Sequence, residues 1–89
     1  MTINDVFASE LAKAAGVAEA HGVGLIRLSI KDAGKSPDDP LTYADYERVF
    51  QQHLTQRLHA IDAQNVDTVV AKMIAVLKEK QSLLTMTVH

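Results

Sequence analysis

The chain has 89 residues and no cysteine, and nine Lys and Arg against eleven Asp and Glu leave a net charge of −2. The lack of cysteine excludes disulfides and thiolate metal sites, and the charge balance supplies no overall basic character for nucleic acid. With no apolar stretch near the ~18 residues of a membrane span, the composition predicts one small domain with no membrane association.

The first residues, Met1-Thr2-Ile3-Asn4-Asp5, form neither a basic nor an apolar run. No signal peptide is expected, and the expected compartment is the cytoplasm. Thr2 with Asp5 makes a capping-box start. Val6, Phe7, Leu11, Ala14, Ala15 and Ala18 then follow at helical spacing, which predicts a helix over about 4–21. Gly16 weakens its middle. Gly22 and Gly24 are expected to end it near His21, with Gly22 in the left-handed C′ position.

Residues 23–31 carry two patterns at once. Ile26-Arg27-Leu28-Ser29-Ile30-Lys31 alternates as a strand does, while Val23, Ile26 and Ile30 have helical spacing. The end of the chain, Thr85-Met86-Thr87-Val88-His89, alternates as well. A short helix at 23–31 is therefore set against short strands at 25–30 and 84–88.

The loop 33–41 gathers Gly34, Ser36, Asp38, Asp39 and both prolines, Pro37 and Pro40. It is expected to be an exposed hinge between an N-terminal unit and a C-terminal helical hairpin, open to trypsin after Lys35. Thr42 and Asp45 repeat the capping-box signal, with Leu41 and Tyr46 placed as a hydrophobic staple. Tyr46, Phe50, Leu54 and Leu58 then recur in steps of four, predicting a helix over 42–61. After the polar turn Asp62-Ala63-Gln64-Asn65, Asn65 is the expected cap of a last helix over 66–84. The whole reads as mainly α: a small helical domain with a long C-terminal antiparallel hairpin.

The last helix is apolar on more than one side, through Val66, Val69, Val70, Met73, Ile74, Val76, Leu77, Leu83 and Leu84. A helix apolar on two faces needs cover on two faces. In a domain of this size few elements remain to supply it, so a second chain is expected there. The predicted contact residues are Val69, Met73, Val76 and Leu83.

Ser9-Glu10-Leu11-Ala12-Lys13-Ala14-Ala15-Gly16-Val17 resembles the first helix and turn of bacterial helix-turn-helix regulators. The resemblance implies a DNA-reading second helix within residues 9–27. Yet Ala18-Glu19-Ala20-His21-Gly22-Val23-Gly24 offers no Arg, Lys, Asn or Gln to read base edges. Asp38 to Tyr46 resembles the second half of an EF-hand calcium loop. With Asp45 as the last ligand, Gly34 falls where a carboxylate is required and Asp39 where the turn needs glycine. His53 and His59 are six apart on a helix and point about 120° apart, so they cannot share a metal. His21 is placed near a helix C-terminus, His89 at the chain end, and Tyr43 and Tyr46 at a core edge beside the loop.

No catalytic, cofactor or metal residue is therefore assigned. The sequence predicts a small cytoplasmic interaction module, an adapter, regulator or accessory subunit. It acts by helix packing and not as an enzyme, on itself as a homodimer or on another protein. The alternative from a different class is a DNA-binding regulator built on residues 9–27.

Overall fold

The computed structural model describes residues 2–81. They form four helices and no strand. α1 spans Ile3–Ala15, α2 spans Glu19–Asp32, and α4 spans Val66–Glu79. Between them α3 runs unbroken from Tyr43 to Ala60. Its ends, Tyr43–Arg48 and Thr55–Ala60, are α-helical and its middle, Val49–Leu54, is π-helical. The mainly-α fold is as the sequence predicts. The strand reading of 25–30 gives way to helix, because Gly22, Leu25, Ile26, Ser29 and Ile30 form one buried stripe at steps of three and four. Residues 84–88, like Leu83 and the expected end of the last helix, lie outside the described residues.

Both predicted capping boxes form in full. Asp5 N–H donates to Thr2 Oγ1 at 3.2 Å, and Thr2 N–H to Asp5 Oδ2 at 3.0 Å. Asp45 N–H donates to Thr42 Oγ1 at 3.1 Å, and Thr42 N–H to Asp45 Oδ2 at 3.1 Å. Each box satisfies two amides that a helix start otherwise leaves open. Thr42→Ala should lower stability by about 1 kcal/mol, read as a shift of the thermal midpoint.

The glycines divide their roles differently from the sequence expectation. Gly16, not Gly22, holds the left-handed position, at φ +70°, and ends α1. Val17 N–H donates back to Ala12 O at 3.1 Å across it. Gly22 lies inside α2 and is buried where α2 crosses α1. A Cβ added there would stand 2.6 Å from Ala8 O and 3.3 Å from the Ala12 Cβ. The small side chains of Ala8 and Ala12 and the bare Gly22 thus set how closely the two helices approach. Asn65 does precede α4, but in the left-handed region at φ 56°, and its side chain makes no cap hydrogen bond.

The π segment answers the steps of four in α3. In an α-helix each such step overshoots a full turn by about 40°, so the stripe drifts off the core within three steps. A π turn spans one residue more and takes that drift back. Tyr46, Phe50, Leu54 and Leu58 are all buried as a result. Thr55 leaves the segment with its hydroxyl on Gln51 O, at 2.9 Å.

One hydrophobic core joins all four helices. Phe7 of α1 is its centre, with ring centroids 4.9 Å from Tyr46 and 5.2 Å from Phe50, both edge-on. α1 packs on α2 and on α4. α2 lies on the π segment, and α4 runs against all three parts of α3.

The loop 33–41 is anchored, which corrects the hinge expectation. Pro37 and Leu41 are buried, and Pro37 O accepts from Asn4 Nδ2 at 2.9 Å. Lys35 N–H donates to Ile30 O at 3.2 Å, and Arg27 stands 3.7 Å from Asp38. The residues before the loop pack into the same core as those after it, so the chain does not divide there.

Candidate interaction surface

The predicted face on the last helix is turned inward. Val69, Met73 and Val76 are 3%, 0% and 2% exposed, inside the core of the single chain. The two-sided apolar surface of α4 is real, but α1 covers one side and α3 the other. Within one chain, α1 and α3 already supply the cover that a second chain was expected to give. Leu83, the fourth residue of that face, is outside the described residues. What α4 leaves toward solvent is polar or small, Asp67, Thr68, Ala71, Lys72, Ala75, Lys78 and Glu79, beside the half-buried Val70 and Ile74.

Exposed large apolar side chains lie elsewhere. Among the described residues they are Val23 at 36%, Leu28 at 41% and Ile61 at 41%. Two of them are on α2, and Ile61 follows the end of α3. On α2, Val23 and Leu28 are five positions apart, which sets them about 140° apart around the helix. They flank a strip of Ala20, Gly24, Arg27 and Lys31. A Cβ built on Gly24 would meet nothing within 4 Å. The sequence reading missed this face. Once Leu25, Ile26, Ser29 and Ile30 are taken as the inner stripe, Val23 and Leu28 fall outside it, and that mismatch was the available signal.

The chemistry-bearing residues do not converge. Among the described residues, no three His, Asp or Glu side chains come together to hold a metal ion. The EF-hand-like stretch is occupied otherwise: Asp45 closes the α3 cap, with Lys35 at 3.9 Å and Arg48 at 3.6 Å. His21 is exposed in the first turn of α2, not at a helix C-terminus, and His59 is exposed near the end of α3. His53 is half-buried on the π segment, near enough to Asp32 to contribute to its field. Ser29 is fully buried on the inner stripe of α2, and its hydroxyl has no hydrogen-bond partner among the described residues.

Tyr46 is a structural strut. Its ring is buried and its hydroxyl donates to Asn4 Oδ1 at 2.6 Å, while Asn4 Nδ2 goes on to Pro37 O. Burial, with the Asp45 carboxylate adding to it, pushes the phenol up to about 12. α1, the loop and α3 are pinned by this chain. Tyr46→Phe keeps the ring but orphans Asn4 Oδ1, so it should cost about 1–2 kcal/mol in chemical unfolding. Tyr43 is half-buried against the same core.

Arg57 grips Asp32 with two bonds, Nε at 2.7 Å and Nη2 at 2.8 Å, joining the end of α2 to α3. That guanidinium holds the Asp32 carboxyl below the ordinary 3.8. Bonds from Thr2 and Thr42 do the same for Asp5 and Asp45. All three carboxyls therefore bind protons less readily folded than unfolded. Their contribution to stability is complete above 3.8 and is lost as pH falls through the lowered folded values. Melting followed from neutrality downward should hold steady and then drop in that acid range. Thr42→Ala should make the drop shallower.

No helix among the described residues is long and apolar enough to cross a membrane. In comparisons with known proteins, no family model, no curated protein and no solved structure matches the chain.

Proposed function

We propose that the protein is a small cytoplasmic interaction module, an adapter, regulator or accessory subunit that works by packing against another protein rather than by turnover. The observation that supports this reading is the outward side of α2, where Val23 and Leu28 stay exposed around a strip with no side chain at Gly24. A rigid helix held on its inner side by Gly22 and the core presents that side with little conformational freedom left to lose on binding. The contact surface is thus moved from the last helix to α2. A photo-crosslinking residue at position 28 should form a discrete adduct in cells, and one at the exposed position 71 of α4 should not. Adducts at 71 alone, or at neither position, would remove the reading.

The DNA-binding alternative has one observation behind it. α1 and α2 are joined through Gly16 by a turn of helix-turn-helix length, and α2 carries Arg27 and Lys31 on its outward side. Against it stand Glu19 on the same helix and the net charge of −2. A salt-sensitive shift of a defined duplex, abolished by Arg27→Ala, would promote this reading over the first.

A further inference from the structure

The outward arc of α2 carries charge of one sign only. It runs from Val23 round to Leu28, about 140° of the helix, with Ala20, Gly24, Arg27 and Lys31 between them. Two of the chain's nine cations stand on it and none of its eleven acids. Glu19 is outside the arc, on the bearing of the buried Ile26 and Ile30. Asp32 lies past Leu28, where Arg57 holds it at 2.7 Å. Among the described residues Lys31 forms no ion pair, and Arg27 meets only Asp38 of the loop, at 3.7 Å, with both side chains well exposed.

The two cations are four positions apart, where like charges repel each other along a helix. The helix dipole favours Lys31, which is in the last turn, but its pull fades before Arg27. Each cation also has an exposed apolar neighbour one turn away: Val23 beside Arg27, and Leu28 beside Lys31. Resting on the reading of α2 as the contact surface, we infer that its occupant is an acidic amphipathic helix of another protein. Two carboxylates one turn apart on that helix pair with Arg27 and Lys31, and apolar side chains beside them cover Val23 and Leu28. The pairing also relieves the repulsion between the two cations. From Ala20 to Lys31 the strip is straight and about 16 Å long, which matches three turns of a helix laid along it. A second copy of this chain does not supply the acids, since pairing α2 on α2 brings only Ala20, Gly24 or the same cations over Arg27 and Lys31. Duplex DNA would set Val23 and Leu28 against phosphate, and two cations release too few counterions for tight binding.

Crosslinking with the whole chain tests this. With a diazirine-bearing residue at position 28, mass spectrometry should place the link in a helical segment of another protein, with two acids three or four positions apart inside it. Arg27→Glu combined with Lys31→Glu should cut the adduct by roughly tenfold, since like charges then face each other. Arg27→Gln combined with Lys31→Gln should cut it less. Changing the two mapped acids to Lys should restore the adduct with the Glu pair. Both positions are exposed and outside the core, and unchanged circular dichroism checks that the variants fold. The inference is overturned by an adduct with a second copy, by a link in a segment without the acids, or by an adduct that ignores the charge changes or is not restored by the swap. In each of these cases the interaction reading stands. If the adduct is removed by nuclease, or if none forms at position 28, both fail.

Discussion

Gly22→Ala should cost about 2–3 kcal/mol, whereas Gly24→Ala, two positions on, should stabilise by about 0.5–1 kcal/mol. The two changes add the same methyl group to the same helix and remove the same backbone freedom from the unfolded chain. They differ in what the methyl meets. At position 22 it stands 2.6 Å from Ala8 O, a backbone atom that can yield only if α1 and α2 move apart. Such a shift loosens Leu11 and Leu25 together, because both are packed into the same core. At position 24 the methyl points into open space. Paired urea unfolding curves give the comparison directly. Equal midpoints for the two variants would mean that α2 does not approach α1 as closely as the structure has it.

Met73→Asp should prevent folding altogether. Met73 is 0% exposed between α1 and α3, and no cation in the core stands ready for a carboxylate. Burying an unpaired charge costs several kcal/mol, a large part of the 5–15 kcal/mol that holds a small domain together. The expected readout is loss of the helical circular dichroism signal at every protein concentration. A variant that stayed folded and merely became monomeric would return Met73 to an interface between chains. Leu28→Asp is the matching control at an exposed position: it should leave the fold and its melting intact.

What was legible in the sequence was local. Thr2 with Asp5 and Thr42 with Asp45 announce helix starts because both halves of each cap lie within one turn, and both caps form as expected. The ambiguity at 23–31 is also local in origin. Ile26, Leu28 and Ile30 alternate, while Leu25, Ile26, Ser29 and Ile30 step by three and four, and only the α1 surface decides between them. Ser29, a polar residue in the buried stripe, disguised the helical pattern. The candidate face on the last helix was misplaced for a non-local reason. Whether Met73 is inside or outside depends on α1 returning to cover it from sixty residues away, and no periodicity within residues 66–84 carries that fact. The loop was misread similarly: its prolines and acids mark irregular backbone, but the Asn4 bond to Pro37 O that fastens it belongs to the other end of the chain.

The π segment also bears on how the length of this chain can vary. An i to i+5 turn encloses one residue more than an α turn, so α3 carries a spare position between Val49 and Leu54. Loss of Gln51 or Gln52, both of which face solvent, would let the segment close to ordinary α-helix. The residues on either side would keep their bearings, with Val49 and Phe50 still inward before the gap and Leu58 after it. The same loss in α1, α2 or α4 would turn everything beyond it by about 100° and drag a buried stripe into water. Among its helices, then, the middle of α3 is where this lineage has room to shorten by one residue without rebuilding its core.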